Sequence, residues 1–152
     1  MKELYPMRGV ITTVNTPFNE DLTINWSDLR RTAEAALEAG VSGFLAPCFA
    51  SEIDELTNEE RYRMVTELLD VTHQAGHGIV MPNVRGKTKD DCVEQAKRYL
   101  DLGVDGVNIF MPTVTEESYR ELVAAVDDLH PPFLCLQDTK DNELRAPFVK
   151  SM

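Results

Sequence analysis

Strand signals and helix signals alternate along the whole chain, and each strand signal is separated from the next by a single helix signal. The strand signals lie at 9–14, 42–47, 77–82, 105–110 and 132–136. They are short and apolar throughout, without the period-two alternation of a half-exposed strand, which is the pattern of strands buried on both faces. Strands joined through single helices run parallel, with right-handed crossovers. The chain therefore reads as α/β, built from β/α units, and contains no linker and no low-complexity segment.

The helix signals carry their own punctuation. Asn25 can cap a first helix, with Asp28 three residues on, and Leu29, Ala33, Ala36 and Leu37 fall on one face before Gly40 stops it. Thr57 and Glu60 form a capping box for a second helix. Its inward residues are Met64, Val65, Leu68, Leu69 and Thr72, and Gly76 ends it. Thr88 can start a third helix that buries Cys92, Ala96, Tyr99 and Leu100 and stops at Gly103. Thr115 starts a fourth, with Tyr119, Leu122, Val123, Val126 and Leu129 inward, and a fifth begins at Pro147 with no stop signal before Met152. A weak repeat relates Ala39-Gly-Val-Ser-Gly to Leu102-Gly-Val-Asp-Gly, each a helix stop leading directly into a strand.

Composition removes several classes of function. The formal net charge of −11 disfavours a nucleic-acid partner, which requires a basic face, and equally an anionic membrane surface. No apolar run approaches the ~20 residues of a membrane span, and the opening residues lack the apolar core of a signal peptide. The expected location is the cytoplasm. Cys48, Cys92 and Cys135 are far apart and odd in number, fitting neither a disulfide framework nor a zinc pattern, so three reduced thiols and no metal are expected.

Strict alternation permits a closed barrel or an open doubly wound sheet. Doubly wound nucleotide binders carry a Gly-rich turn after strand one. Here that turn is Asn15-Thr-Pro-Phe-Asn-Glu20, without glycine, which favours the barrel.

The run Arg8-Gly-Val-Ile-Thr-Thr-Val-Asn-Thr-Pro-Phe18 resembles the opening of the dihydrodipicolinate synthase/N-acetylneuraminate lyase family, and the order downstream agrees. Ala39-Gly-Val-Ser-Gly precedes strand two. Glu52 and Leu56-Thr-Asn-Glu-Glu-Arg61 match a Glu followed by Leu-Ser-x-Glu-Glu-Arg, and Leu102-Gly-Val-Asp-Gly matches the approach to strand four. The resemblance implies a parallel (β/α)8 TIM barrel, of which residues 1–152 supply about the first five units as a single, incomplete domain. It also implies a lyase or aldolase acting on pyruvate or a related 2-keto acid. In this family a strand-six lysine forms an imine with the keto carbon, and the imine withdraws electrons from the neighbouring carbon. That lysine is expected beyond Met152. No metal or organic cofactor is implied; a small 2-keto acid and further copies of the chain are the implied partners. Active sites of such barrels lie at the C-terminal ends of the strands.

The chain departs from the family pattern at several site positions. Where the family ends strand two in Gly-Thr-Thr-Gly-Glu, this sequence reads Cys48-Phe-Ala-Ser-Glu52. Phe49 and Ala50 replace the two hydroxyls that relay a proton and grip the substrate carboxylate; Ser51 offers one hydroxyl from a shifted position, and backbone N–H groups could still hold a carboxylate. The family tyrosine after strand four falls near Thr113 or Val114, and the tyrosine ending strand five falls near Gln137, followed by Asp138. A Gln amide is a poor acid or base, whereas Asp138 could move a proton if burial raised its pKa. Gln137 and Asp138 are thus the candidate catalytic residues. Phe49, Ala50, Ser51 and Arg85 are the candidate substrate contacts, Arg85 because its guanidinium could pair with a carboxylate after strand three.

Lys2, Lys87, Lys89, Lys97, Lys140 and Lys150 read as surface residues, with Lys140 nearest the expected barrel mouth. Five of eight strands cannot close, and strands one and five would each expose an edge. The alternatives to a piece of a full-length enzyme are a non-catalytic carboxylate-binding or regulatory barrel and a half-barrel that assembles with copies of itself.

Overall fold

A computed structural model of the chain describes residues 8–110 and 115–137. The chain divides into two compact units, 1–82 and 83–152.

The first unit orders its elements as β1 (Ile11–Thr12), α1 (Trp26–Glu38), β2 (Gly43–Phe44), a 3-10 turn (Phe49–Ser51), α2 (Asn58–Ala75) and β3 (Ile79–Val80). The three strands form one parallel sheet in that order, with Gly43 between Ile11 and Ile79. Glycine is required there: a Cβ on Gly43 would overlap the backbone of Ile79. The Asn25 side chain accepts from the Asp28 N–H, and Thr57 and Glu60 close the expected capping box. Gly76 ends α2 at φ 73°, left-handed backbone that glycine adopts without a Cβ clash. α1 packs against α2; α1 buries Leu29, Ala33 and Leu37, and α2 buries Met64, Val65, Leu68, Leu69, Val71 and Thr72. Side chains also join the helices: Arg30 of α1 pairs with Glu67 of α2 at 2.7 Å, and the Arg63 guanidinium of α2 lies 4.2 Å from the Trp26 ring centre.

The second unit contains β4 (Asn83–Val84), α3 (Lys89–Asp101), β5 (Val107–Ile109), α4 (Glu116–Asp127) and β6 (Leu134–Leu136). Its strands form a second parallel sheet, ordered β4-β5-β6. Thr88 and Asp91 make a capping box, and Thr115 caps α4 through the Ser118 N–H. Cys92, Gln95, Ala96 and Tyr99 of α3 are buried, as are Tyr119, Leu122 and Val126 of α4.

The alternating order and parallel pairing expected from the sequence are both present. The third strand differs: the expected segment 77–82 is a strand only at β3 (Ile79–Val80), and a further short strand, β4, begins just after it in a separate sheet. The break falls at Pro82, which has no N–H to donate to a ladder; the last donor before it is Met81, bonded to the Phe44 carbonyl. Ala36, Leu100, Val123 and Leu129 are only half-buried, while the polar Gln95 is buried. The fifth helix expected from Pro147 lies outside the described residues.

Candidate active-site faces

In the first unit the two buried polar groups after the strands, Thr16 and Ser51, are bonded to the backbone. Ser51 is fully buried and its hydroxyl donates to the Val14 carbonyl at 2.6 Å, with the Cys48 sulfur 3.6 Å away. The Thr16 hydroxyl donates in turn to the Ser51 carbonyl at 2.6 Å. The segment after β1 is thereby tied to the turn after β2. Phe49 and Ala50 stand exposed on that turn, Phe49 at 50%. Glu52 closes it in left-handed backbone at φ 56°.

In the second unit polar side chains bond to one another. Asn83 and Asn108 are paired in register on β4 and β5 and are fully buried. The Asn108 amide group donates to Asn83 Oδ1 and, at 2.8 Å, to Gln137 Oε1. Asn83 Nδ2 makes a longer bond, 3.4 Å, to the same Gln137 oxygen. Gln137 follows β6 and is held there by its N–H, which donates to the Ile109 carbonyl at 3.1 Å. Three carboxamides from adjacent strands therefore meet on one sheet face.

Residues two apart in a strand share a face, so Arg85 follows Asn83 and Phe110 follows Asn108 on that side. Their contact agrees: the Arg85 guanidinium lies 4.9 Å from the Phe110 ring centre, a distance at which the ring quadrupole attracts a cation. The Arg85 backbone is fixed from α3, whose Gln95 Oε1 accepts its N–H at 2.5 Å, and the next N–H, of Gly86, reaches the Cys92 sulfur at 3.2 Å.

The amide network leaves one buried atom unsatisfied. Asn108 Oδ1 is buried with no hydrogen-bond partner among the described residues. Such an acceptor costs about 1–3 kcal/mol, and the rarity of such groups makes each one a pointer to function. Burial pushes the Cys92 thiol above its ordinary range, against the opposing bond from Gly86, and burial alone does the same to Cys135. Both therefore hold their protons more tightly than an ordinary thiol.

The residues singled out from the sequence fall in different surroundings. Ser51 is a buried loop tie, Phe49 and Ala50 are exposed apolar groups, and Arg85 and Gln137 share the carboxamide-bearing face. Asp138, Thr113, Val114, Lys2, Lys140 and Lys150 lie outside the described residues. Lys87 and Lys97 are exposed, and Lys89 pairs with Glu121 on α4 at 3.2 Å. Asn108 and Gln95 were not singled out. Each has a signal in the sequence: a lone carboxamide among residues that are otherwise apolar, on a strand or on the inward helix face, must find a partner. Among the described residues no cluster of His, Cys, Asp and Glu could hold a metal, and no helix is long and apolar enough to cross a membrane.

The model of the dihydrodipicolinate synthetase family matches residues 6–129. The 4-hydroxy-tetrahydrodipicolinate synthase of Salinibacter ruber is 30% identical over 122 residues, which are 80% of this chain and 40% of that protein. Among solved structures, the CdNal protein of Clostridium difficile in complex with mannosamine superposes with a TM-score of 0.85 at 17% identity, over 95% of this chain and 52% of that one. The chloride-inhibited dihydrodipicolinate synthase of Acinetobacter baumannii complexed with pyruvate gives 0.80 at 20% identity, over 89% and 47%. The chain thus spans about half the length, or less, of these relatives. The structural likenesses show the fold, a parallel β/α barrel present in part. With most of its length matched by the family model, the chain belongs to the dihydrodipicolinate synthetase family.

Proposed function

We propose that the chain is the N-terminal part of a carbon–carbon or carbon–oxygen lyase that acts on pyruvate or a related 2-keto acid. The imine-forming lysine is assigned to residues outside these 152. Its amine condenses with the keto carbon and releases water, and the imine then accepts the electron pair left when the neighbouring carbon loses a proton or a carbon substituent. The observation that carries the reading is the face holding Arg85 and Gln137, on a chain whose family relatives include lyases. Arg85 supplies a guanidinium suited to a carboxylate, and Gln137 a neutral donor beside it. Asp138, next in sequence, is the candidate for proton transfer.

Phe49 and Ala50 carry no hydroxyl, and the Ser51 proton is held by the Val14 carbonyl. A hydroxyl relay from the turn after β2 is therefore missing. This favours a different aldol cleavage, or a hydratase or dehydratase step, over dihydrodipicolinate synthesis. The same absence supports a second reading, a barrel that binds carboxylates without turning them over. A cytoplasmic homo-oligomer that uses no cofactor completes the proposal.

The test is incubation of the protein, expressed from its natural reading frame, with pyruvate and borohydride, followed by intact mass. One covalent pyruvate adduct on a lysine supports the enzyme. Pyruvate binding without an adduct supports the binding protein, and neither binding nor adduct overturns both.

A further inference from the structure

We infer that Asn83, Asn108 and Gln137 form a carboxamide switch: the three amides turn over together, so that Gln137 presents to the ligand an NH2 donor in one sense and a carbonyl acceptor in the other. The inference deepens the keto-acid reading and rests on it for the ligand's class. An ionised 2-keto acid brings oxygens that only accept, whereas its hydroxylated counterpart also has a hydrogen to donate. The switch lets one side chain meet both.

Three bonds link the three carboxamides: Asn108 Nδ2 to Asn83 Oδ1, Asn108 Nδ2 to Gln137 Oε1 at 2.8 Å, and Asn83 Nδ2 to Gln137 Oε1 at 3.4 Å. Among the described residues no backbone group and no other side chain bonds these amides, so nothing outside the trio holds it in one sense. The two ends of a carboxamide are nearly equal in shape and differ in what they bond. Turning any one of the three alone sets donor against donor or acceptor against acceptor. Turning all three exchanges every donor with its acceptor and keeps all three bonds, so inversion is concerted. The outer end of Asn108 is buried without a partner. It is an oxygen in one sense and an NH2 group in the other, so inversion leaves the same position unmet and adds no further one. Asn83 and Asn108 are fully buried and in register, whereas Gln137 is half-buried and is the member a ligand can reach. Its own N–H, bonded to the Ile109 carbonyl, holds the backbone in place while the side chain turns. The charged group on the same face is Arg85, and Cys135, in register with Asn108, is the neighbouring thiol. A ligand tips such an equilibrium by the difference in its affinity for the two senses. A carbonyl oxygen selects the NH2 group of Gln137 and a donating hydroxyl selects its oxygen, and Gln137 moves no proton in either.

Two measurements on the intact protein test this. The first is NMR relaxation dispersion of the side-chain NH2 groups, without ligand. One shared exchange rate at Asn83, Asn108 and Gln137 is expected; unequal rates, or no exchange at any of the three, overturns the inference. The second is binding of two probes of equal charge, pyruvate and lactate, which differ by a keto oxygen against a hydroxyl. The wild type is expected to bind both, and a wild type that binds pyruvate and refuses lactate overturns the switch. In Asn108→Asp the ionised carboxylate only accepts, which holds the trio in the sense that turns the Gln137 oxygen outward. Lactate is then retained and pyruvate weakens about tenfold, the worth of one well-placed hydrogen bond. Equal weakening of both probes would mean charge repulsion, and full retention of both would mean a structural network; either overturns the switch. If Asn108→Asp fails to fold, Gln137→Glu presents the same acceptor outward, and the absence of that split between the probes counts against the inference. A wild type with the shared exchange rate that binds neither probe sinks the keto-acid reading and leaves the concerted inversion standing.

Discussion

The two units handle the polar groups beyond their strands in opposite ways. In the first, Thr16 and Ser51 each donate to a backbone carbonyl, so their hydroxyls hold loops together. In the second, Asn83, Asn108 and Gln137 bond among themselves, and one buried group, Asn108 Oδ1, is left over. A side chain that completes a backbone is closed to ligands. A side-chain network with unmet donors and acceptors has ends to offer. The difference supports the proposal that the turn after β2 is structural and that the face of β4, β5 and β6 is the one that meets a ligand.

The sharpest break is Gly43→Ala. Its Cβ would meet the Ile79 backbone in the middle of the first sheet, and a loss of about 3 kcal/mol is expected because backbone cannot rotate away as a side chain can. Thermal unfolding with exchange at β1–β3 would check that the damage starts in the first unit. Next is Asn108→Leu, of similar size but unable to donate. It strands the Asn83 oxygen and leaves the Gln137 oxygen only its longer bond from Asn83, with an expected loss of about 2–3 kcal/mol and weaker keto-acid binding. Ser51→Ala leaves the Val14 carbonyl without its hydroxyl donor and should destabilise by about 1–2 kcal/mol, with binding of pyruvate unchanged. A large fall in binding there, unaccompanied by a stability change, would reverse the roles given to the two units.

The smallest effect concerns pH. Cys92 and Cys135 titrate above their ordinary value of 9.0 in the folded chain. The unfolded chain releases those protons first. Stability therefore falls as pH rises from 9.0 toward the folded pKa, and below 9.0 the thiols contribute no pH dependence. Melting temperatures compared between pH ~8 and ~10, for wild type and for Cys92→Ala/Cys135→Ala, isolate the effect; an identical fall in both would remove the thiols from the explanation.

Much of the fold was legible because its signals are local. Asn25, Thr57, Thr88 and Thr115 all cap helices at the expected positions, since a capping side chain needs only the next turn of backbone. Parallel pairing followed from topology. The end of the third strand at Pro82 was written in the sequence, but the two-residue strand β4 that follows it was not, because Asn83-Val84 is too short to show a strand pattern. The site was less legible. Arg85 and Gln137 could be singled out by their places after strands. That they share a face with Asn83 and Asn108 depends on register across three strands, which no spacing in the sequence expresses. Ser51 shows the converse: its hydroxyl looked available because its partner, Val14, follows a different strand.

The most direct test of the contrast between the two units is a pyruvate titration of the isotope-labelled protein, following side-chain amide and guanidinium signals together with the backbone of the turn at Phe49–Ser51. The account predicts saturable shifts at Gln137, Asn108 and Arg85, with Ser51 unmoved. Shifts confined to Phe49, Ala50 and Ser51, or no saturable shift anywhere, would contradict it.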